Sequence, residues 1–126
     1  MTYVYADAEK LEKLPTVGTK QCVALIKHYA KALPSSLWKE GDTVRDKPAL
    51  KKGTAIATFV NGKYPNNGTG NHAALYLSQD LSGIWVIDQW SKSGTIQKRK
   101  LTFKGKDKAG KFIDPSNNGD AFSVIE

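Results

Sequence analysis

The sequence predicts an α+β domain, in which N-terminal helices pack on an antiparallel sheet of about five strands. Two segments near the N-terminus carry apolar residues at helical spacing. The later segments are rich in β-branched and aromatic residues and are separated by turn signals. Helices followed by consecutive strands are typical of α+β folds. The chain of 126 residues has the size of a single domain, so we expect residues 1–126 to fold as one unit.

The first predicted helix is short and amphipathic. Asp7 is a suitable N-cap, and Ala8, Leu11 and Leu14 follow it at helical spacing. Pro15 ends the pattern, and we expect this helix to be part of the scaffold.

The second predicted helix carries a cysteine. Thr19 is the expected N-cap, and one apolar stripe then runs towards Pro34, made of Cys22, Leu25, Ile26, Tyr29 and Leu33. His28 lies about 120° around the helix from Cys22, so we expect it to face solvent. Residues 34–53 lack periodicity and are predicted to form a long loop or short irregular helices.

The predicted strands follow one another along the rest of the chain, at residues 54–60, 71–78, 83–90, 95–103 and 121–125. Turn signals separate them, among them Asn61-Gly62 and Ser93-Gly94. The segments 71–78 and 83–90 are expected to pair as one hairpin centred on Asp80.

The composition limits the classes of partner. The chain has 19 lysine and arginine residues against 12 acidic residues, which gives a formal net charge of +7. A positive field attracts nucleic acid, acidic membrane surfaces or the carboxylates of peptidoglycan, although such a surplus also serves solubility. The sequence has no aromatic RNP motif, zinc finger or evident recognition helix, so we expect no nucleic acid partner.

Other classes are excluded by residue counts and patterns. Cys22 is the only cysteine, which excludes an internal disulfide and a CxxC motif. His28 and His72 are the only histidines and lack the spacing of a zinc site, so we expect no metal. The N-terminus has no basic start followed by an apolar run, and no segment reaches the length of a membrane span. We therefore expect neither a signal peptide nor membrane insertion.

Cys22 is a candidate nucleophile because of its place on the second helix. If Thr19 is the N-cap, Cys22 is the third helical residue, where free backbone N–H groups and the helix dipole stabilise a thiolate. The alternative is that Cys22 packs in the core, as free cysteines commonly do.

His72 and Asp88 are the candidate base and its orienting acceptor. In the hairpin centred on Asp80, His72 lies directly opposite Asp88, with Ala74 facing Val86 and Tyr76 facing Ile84. A slip of one residue would place Gln89 on the face of His72 instead of Asp88, and this alternative stays open. Asp88 is also the only charge in an apolar segment, where burial is costly without a partner.

The order of these residues resembles the NlpC and CHAP branches of the papain-like hydrolases. The segments that carry the resemblance are GTKQCVAL (18–25), LKKGTAIATF (50–59), GNHAALY (70–76) and VIDQW (86–90). The residue before the cysteine is Gln21 rather than the aspartate usual in the NlpC branch, which is closer to the CHAP pattern. The segment 34–53 and the tail after Lys104 have no assigned counterpart.

The resemblance implies a papain-like fold and hydrolysis of a peptidoglycan amide bond through an acyl-enzyme, without a cofactor. Cys22 attacks the carbonyl, His72 transfers the proton, Asp88 holds the imidazole, and the backbone N–H of Cys22 helps bind the oxyanion. The candidate substrate-binding residues are Gln21, Trp38, Tyr64, Gln89 and Trp90.

A small basic enzyme of this kind also resembles the amidase effectors of type VI secretion systems. That resemblance implies a monomer made in the cytoplasm and delivered into the periplasm of a target cell. It further implies peptidoglycan stem peptides as substrate and a cognate immunity protein that blocks the active site.

Two other interpretations remain open. In the first, the chain is a non-catalytic basic module that binds cell wall or another polyanion, with Cys22 buried in the core away from histidine. In the second, the fold is the same but the reaction is acyl transfer or hydrolysis of a different amide. The sequence does not show which peptidoglycan bond is cut. The candidates are the bond between D-glutamate and diaminopimelate, the cross-link, and the bond between muramic acid and alanine.

Overall fold

A computed structural model describes residues 2–126. Its regular elements are one α-helix and six strands: α1 (Cys22–Tyr29), β1 (Glu40–Thr43), β2 (Ala55–Thr58), β3 (Ala73–Gln79), β4 (Gly83–Asp88), β5 (Gln97–Thr102) and β6 (Phe122–Ile125). Short 3-10 helices lie at Ala8–Leu11, Ser35–Leu37, Val44–Asp46, Pro115–Asn117 and Gly119–Ala121. Within residues 2–126, no helix combines the length and the apolar character needed to cross a membrane.

The strands form one antiparallel sheet in the order β1-β6-β2-β3-β4-β5, which confirms the predicted α+β class. The sheet has six strands rather than about five, because β1 lies within residues 34–53 and pairs with β6. The prediction of a loop or irregular helices there was therefore wrong for Glu40–Thr43. Its sequence, EGDT, lacks the apolar alternation that identified the other strands.

Both predicted helices are shorter than expected. The first is a 3-10 helix of four residues, and Asp7 precedes it without a side-chain capping hydrogen bond. The second ends at Tyr29, because the chain turns to a positive φ of 58° at Lys31. Leu33 is consequently outside the helix and 51% exposed, which contradicts its place in the apolar stripe. His28 is exposed, as predicted.

α1 packs against one face of the sheet through the apolar side of the helix. Leu25 and Ile26 are fully buried there against Ala55, Ala57 and Ala73 of β2 and β3. These alanines leave room for the helix to approach the sheet closely. The opposite face carries a second cluster of buried residues, which includes Ile56, Tyr76, Ile84, Val86, Leu101 and Phe122. The central strands are thus buried on both sides.

The hairpin of β3 and β4 is displaced from its predicted register. Tyr76 faces Val86 and Leu75 faces Ile87, so these two residues of β3 pair two positions further along β4 than expected. The turn is centred on Leu81-Ser82 and not on Asp80, whose carboxylate accepts hydrogen bonds from the backbone of Ser82 and Gly83.

A bulge between Tyr76 and Ser78 adjusts the pairing further along the same hairpin. At the end of the hairpin away from the turn, the pairing of β3 with β4 is displaced by two residues, which is an even number. Since side chains alternate between faces with a period of two, His72 and Asp88 still share one face of the sheet.

Gly53 allows the N-terminal segment to contact the start of β2. Its φ is +93°, and a Cβ atom there would overlap the carbonyl oxygen of Tyr5. The backbone N–H of Tyr5 donates a hydrogen bond of 2.9 Å to the carbonyl of Gly53.

We predict that Gly53→Ala lowers the free energy of unfolding by roughly 2–4 kcal/mol, from the positive φ and the overlap together. Gly68→Ala is the matched control, because a Cβ at Gly68 has no atom within 4 Å and its φ lies outside the positive region. Urea unfolding of both variants measures the difference. Equal stability of the two variants would contradict the close contact at Tyr5.

Candidate active site

Cys22 is the first residue of α1. Gln21 before it is extended, with φ −84° and ψ 163°, and is the N-cap. The prediction of Thr19 as the cap was wrong, because Lys20 has a positive φ of 70° and cannot belong to the helix. The thiol nevertheless lies in the first helical turn, where backbone N–H groups are unpaired and the helix dipole is positive.

His72 directly precedes β3 and is held by β2. Its backbone N–H donates to Oγ1 of Thr58 over 2.9 Å, and its carbonyl accepts from the backbone N–H of Thr58 over 3.0 Å. His72 itself is 7% exposed. Thr58 was not found by sequence reasoning, because this role requires knowing which strand lies beside the histidine.

Asp88 is the last residue of β4 and is fully buried. Its Oδ2 lies 2.7 Å from Nε2 of His72. The open choice between Asp88 and Gln89 as the residue facing His72 is therefore settled geometrically in favour of Asp88. Because Nε2 faces Asp88, Nδ1 is the ring nitrogen left for Cys22.

Arg99 on β5 is the second partner of Asp88. Its Nη2 donates to Oδ2 over 2.6 Å, and its Nε lies 3.2 Å from Oδ1. The guanidinium also lies over the ring of Trp90, 4.7 Å from its centroid, and donates to Asn117 over 3.1 Å. The buried carboxylate thus has both an imidazole and a guanidinium against it. Sequence reasoning missed Arg99, although the pairing of β5 with β4 would have placed it on the face of Asp88.

Tyr64 lies beside the sulfur on the other side. Its hydroxyl is 3.5 Å from Sγ of Cys22 and accepts a hydrogen bond of 3.2 Å from Nδ2 of Asn71. Burial and the nearby charge of Cys22 raise the pKa of Tyr64, so its hydroxyl stays protonated and can donate. Asn71, which sequence reasoning also missed, neighbours His72 in the chain.

The environment favours a charged pair of thiolate and imidazolium. Burial alone would raise the pKa of Cys22, but hydrogen bonding and charge interaction with His72, together with Tyr64 and the backbone of Ala73, bring it below its ordinary value. Burial alone would lower the pKa of His72, but Asp88 and Cys22 raise it to about 9. Each shift stabilises the charged form of one partner through the other.

The candidate substrate-binding residues divide into two groups. Gln21 is exposed next to Cys22, Trp90 is 36% exposed, and Tyr64 contacts the sulfur. Trp38 and Gln89 are 3% and 0% exposed, and Tyr64 is 6% exposed, so these side chains offer little surface to a substrate. Trp38 packs edge-on against Tyr64 with the ring centroids 5.1 Å apart. The amide of Gln89 is occupied by backbone groups on the opposite side of the sheet from Asp88.

The described residues do not offer a metal site. Within residues 2–126 no group of three or more histidine, cysteine, aspartate and glutamate side chains is arranged to hold a metal ion. The site contains a thiol, an imidazole and, behind the imidazole, a carboxylate. This arrangement is suited to nucleophilic attack on an acyl carbon.

Known proteins are similar to this chain in sequence and in fold. The family model described as domesticated amidase effector 2 matches residues 6–125. A type VI secretion amidase effector 2 protein from Salmonella typhi is 44% identical to this chain, and the alignment covers 100% of both chains. Domesticated amidase effector 2 from Ixodes scapularis is 36% identical over 87% of this chain and 73% of its own length. A solved structure of a type 6 secretion amidase effector 2 superposes with a TM-score of 0.91 at 42% identity, over 98% of this chain and 94% of the other.

We predict that iodoacetamide alkylates Cys22 with a rate profile that inflects below the ordinary cysteine pKa of about 8.5. In His72→Gln the inflection moves above that value, because burial still disfavours the thiolate while the imidazolium that stabilised it is gone. The measurement is the pH dependence of the alkylation rate by mass spectrometry. His28→Gln, on the exposed side of α1, is the control, and an unchanged profile in His72→Gln would contradict the pair.

Proposed function

The chain belongs to the domesticated amidase effector 2 family, and on that basis we propose that it hydrolyses an amide bond of bacterial peptidoglycan with Cys22 as nucleophile. His72 is the proposed base and acid, and Asp88 is the proposed orienting residue. One observation carries this assignment. The carboxylate of Asp88 lies 2.7 Å from Nε2 of His72, and the half-buried thiol of Cys22 lies near enough to the imidazole for each group to favour the charged form of the other.

The reaction proceeds in two stages. The thiolate of Cys22 attacks the amide carbon, which forms the S–C bond and places negative charge on the carbonyl oxygen. The imidazolium of His72 then gives its proton to the amide nitrogen as the C–N bond breaks and the amine leaves. Neutral His72 next removes a proton from water, whose oxygen attacks the thioester carbon. The C–S bond then breaks, which releases the carboxylic acid and restores the thiolate of Cys22 beside the imidazolium of His72. Asp88 stabilises the imidazolium in both stages.

Two donors are available for the oxyanion. The backbone N–H of Cys22, the first residue of α1, has no partner within the helix and lies at the positive end of the helix dipole. The hydroxyl of Tyr64 lies beside Sγ, and the hydrogen bond that it accepts from Asn71 leaves its own proton free to point towards the sulfur and the attacked carbonyl. We propose that Tyr64 donates first to the thiolate and then to the oxyanion.

The setting of the reaction follows from the same family. We propose that the substrate is a peptidoglycan stem peptide, whose carboxylates suit a chain of net charge +7. Gln21 and Trp90, exposed near the catalytic residues, are proposed to contact it. We further propose secretion into the periplasm of a target cell, a cognate immunity protein that covers the site, action as a monomer, and folding of residues 1–126 as one domain.

The non-catalytic alternative is not favoured. It requires a sealed Cys22 without histidine nearby, whereas Cys22 is half-buried and interacts with His72. Acyl transfer uses the same covalent intermediate as hydrolysis. The products distinguish the two reactions, because transfer forms a new amide and hydrolysis forms a carboxylate.

We predict that the purified protein releases soluble muropeptides from peptidoglycan sacculi and that Cys22→Ala abolishes this release, because the acyl-enzyme cannot form. Mass spectrometry of the fragments identifies the bond that is cut. The control is His28→Ala, which replaces the histidine that has no proposed catalytic role, and we expect it to retain activity. Full activity in Cys22→Ala would rule out the proposed mechanism.

We predict that Tyr64→Phe lowers kcat by about 10²-fold with little change in KM, since the lost donor acts on charge that develops in the transition state. Tyr29→Phe on α1 is the matched control, because Tyr29 packs through its ring against Tyr5 and His28. Initial rates on a soluble muropeptide give both constants. An effect on KM alone would indicate that Tyr64 binds the substrate without stabilising the oxyanion.

A further inference from the structure

Gln89 is a fully buried amide whose hydrogen-bonding groups all contact backbone. Its Oε1 accepts from the N–H of Val17 over 3.0 Å. Its Nε2 donates to the carbonyl of Val17 over 3.0 Å and to the carbonyl of Gln21 over 2.8 Å. A side chain that follows β4 is thus bonded to the segment that leads into α1.

Among the described residues the segment from Val17 to Gln21 has few other hydrogen bonds, although Val17 packs against the hydrophobic core. It lies outside the helices and strands, and its backbone passes through positive φ at both Gly18 and Lys20. Its internal backbone hydrogen bond is that from Lys20 to Val17. The carbonyl of Gln21 also begins the helix, since it accepts from Ala24 over 3.1 Å. The position of Gln21, and with it that of Cys22, therefore depends on the contact with Gln89.

Asp88 and Gln89 are neighbours in the chain, and their side chains serve the two halves of the active site. Side chains alternate along an extended strand, so Asp88 points to His72 while Gln89 points to the segment before Cys22. Their Cα atoms are about 3.8 Å apart across one peptide bond. The end of β4 thus fixes the imidazole and the thiol relative to the same short stretch of backbone.

We propose that Gln89 is a positioning residue, which sets the distance between Sγ of Cys22 and the ring of His72 by fixing the carbonyl of Gln21. It acts through Cys22 and does not touch the substrate. The catalytic consequence rests on the proposed function, but the consequence for the thiol does not, because the pairing of Cys22 with His72 is measurable without substrate. Misplacement of a reacting group by about 1 Å costs on the order of 10²-fold in rate.

The test compares Gln89→Met with Gln79→Met. Gln79 is a matched control, because its Nε2 likewise donates to backbone carbonyls, those of Val44 and Lys47, at the other end of β3 from His72. Each variant is assayed for the thiol pKa by iodoacetamide alkylation, for kcat and KM on a soluble muropeptide, and for stability in urea. We expect Gln89→Met to raise the thiol pKa and lower kcat by about 10- to 100-fold with KM nearly unchanged. We expect Gln79→Met to lose stability only.

Two results would overturn the proposal: a thiol pKa and kcat in folded Gln89→Met equal to those of the wild type, or the same changes in Gln79→Met. If Gln89→Met does not fold, Gln89→Asn decides, because its shorter amide remains polar and cannot reach both carbonyls. A wild-type protein that shows the lowered thiol pKa but does not cleave peptidoglycan would contradict the proposed function alone. The alkylation measurements would then still decide the role of Gln89.

Discussion

The carboxylate of Asp88 lies where no solvent reaches it, between the imidazole of His72 and the guanidinium of Arg99. A buried charge is costly unless it is paired and hydrogen-bonded, so both partners are needed to keep Asp88 in place. Arg99 is in turn held by Trp90 and Asn117. Residues at the start of β3, the end of β4 and in β5, three consecutive strands, therefore meet at one carboxylate, and the orientation of His72 depends on that meeting.

The thiol is placed by the packing of α1 and by the hydrogen bonds of Gln89 to the segment before it, and the imidazole is placed by hydrogen bonds. α1 lies close to the sheet because the residues beneath it on β2 and β3 are alanines, and its apolar side chains fill the remaining space. The main chain of His72 is bonded to Thr58 on β2. Trp38, packed behind Tyr64, supports the ring that reaches the sulfur. Residues that do not contact substrate thus account for much of the site's geometry.

His72 and Asp88 could be brought together from the sequence because alternation along a strand is a strong constraint, whereas Cys22 was found from its place at the start of a helix. His72 and Asp88 were placed on one face by their parity, even though the register itself was wrong by two residues. Arg99 and Thr58 were not accessible in this way, since their roles depend on which strands are neighbours. The error at Thr19 has a local cause, because nothing in the residue type of Lys20 indicates its positive φ. The strand at Glu40–Thr43 is polar and short, and its pairing with β6 comes from tertiary contact.

The turn that joins β3 to β4 has an evolutionary consequence. Insertion or deletion of a single residue between Tyr76 and Gly83 would reverse the facing of one strand relative to the other, unless a new bulge absorbed it. A change of two residues would slide the strands and preserve their facing. Length variation among descendants of this chain should therefore favour even steps in this hairpin, whereas the exposed Gly62 and Gly68, with open space around them, leave the loop before His72 freer to vary.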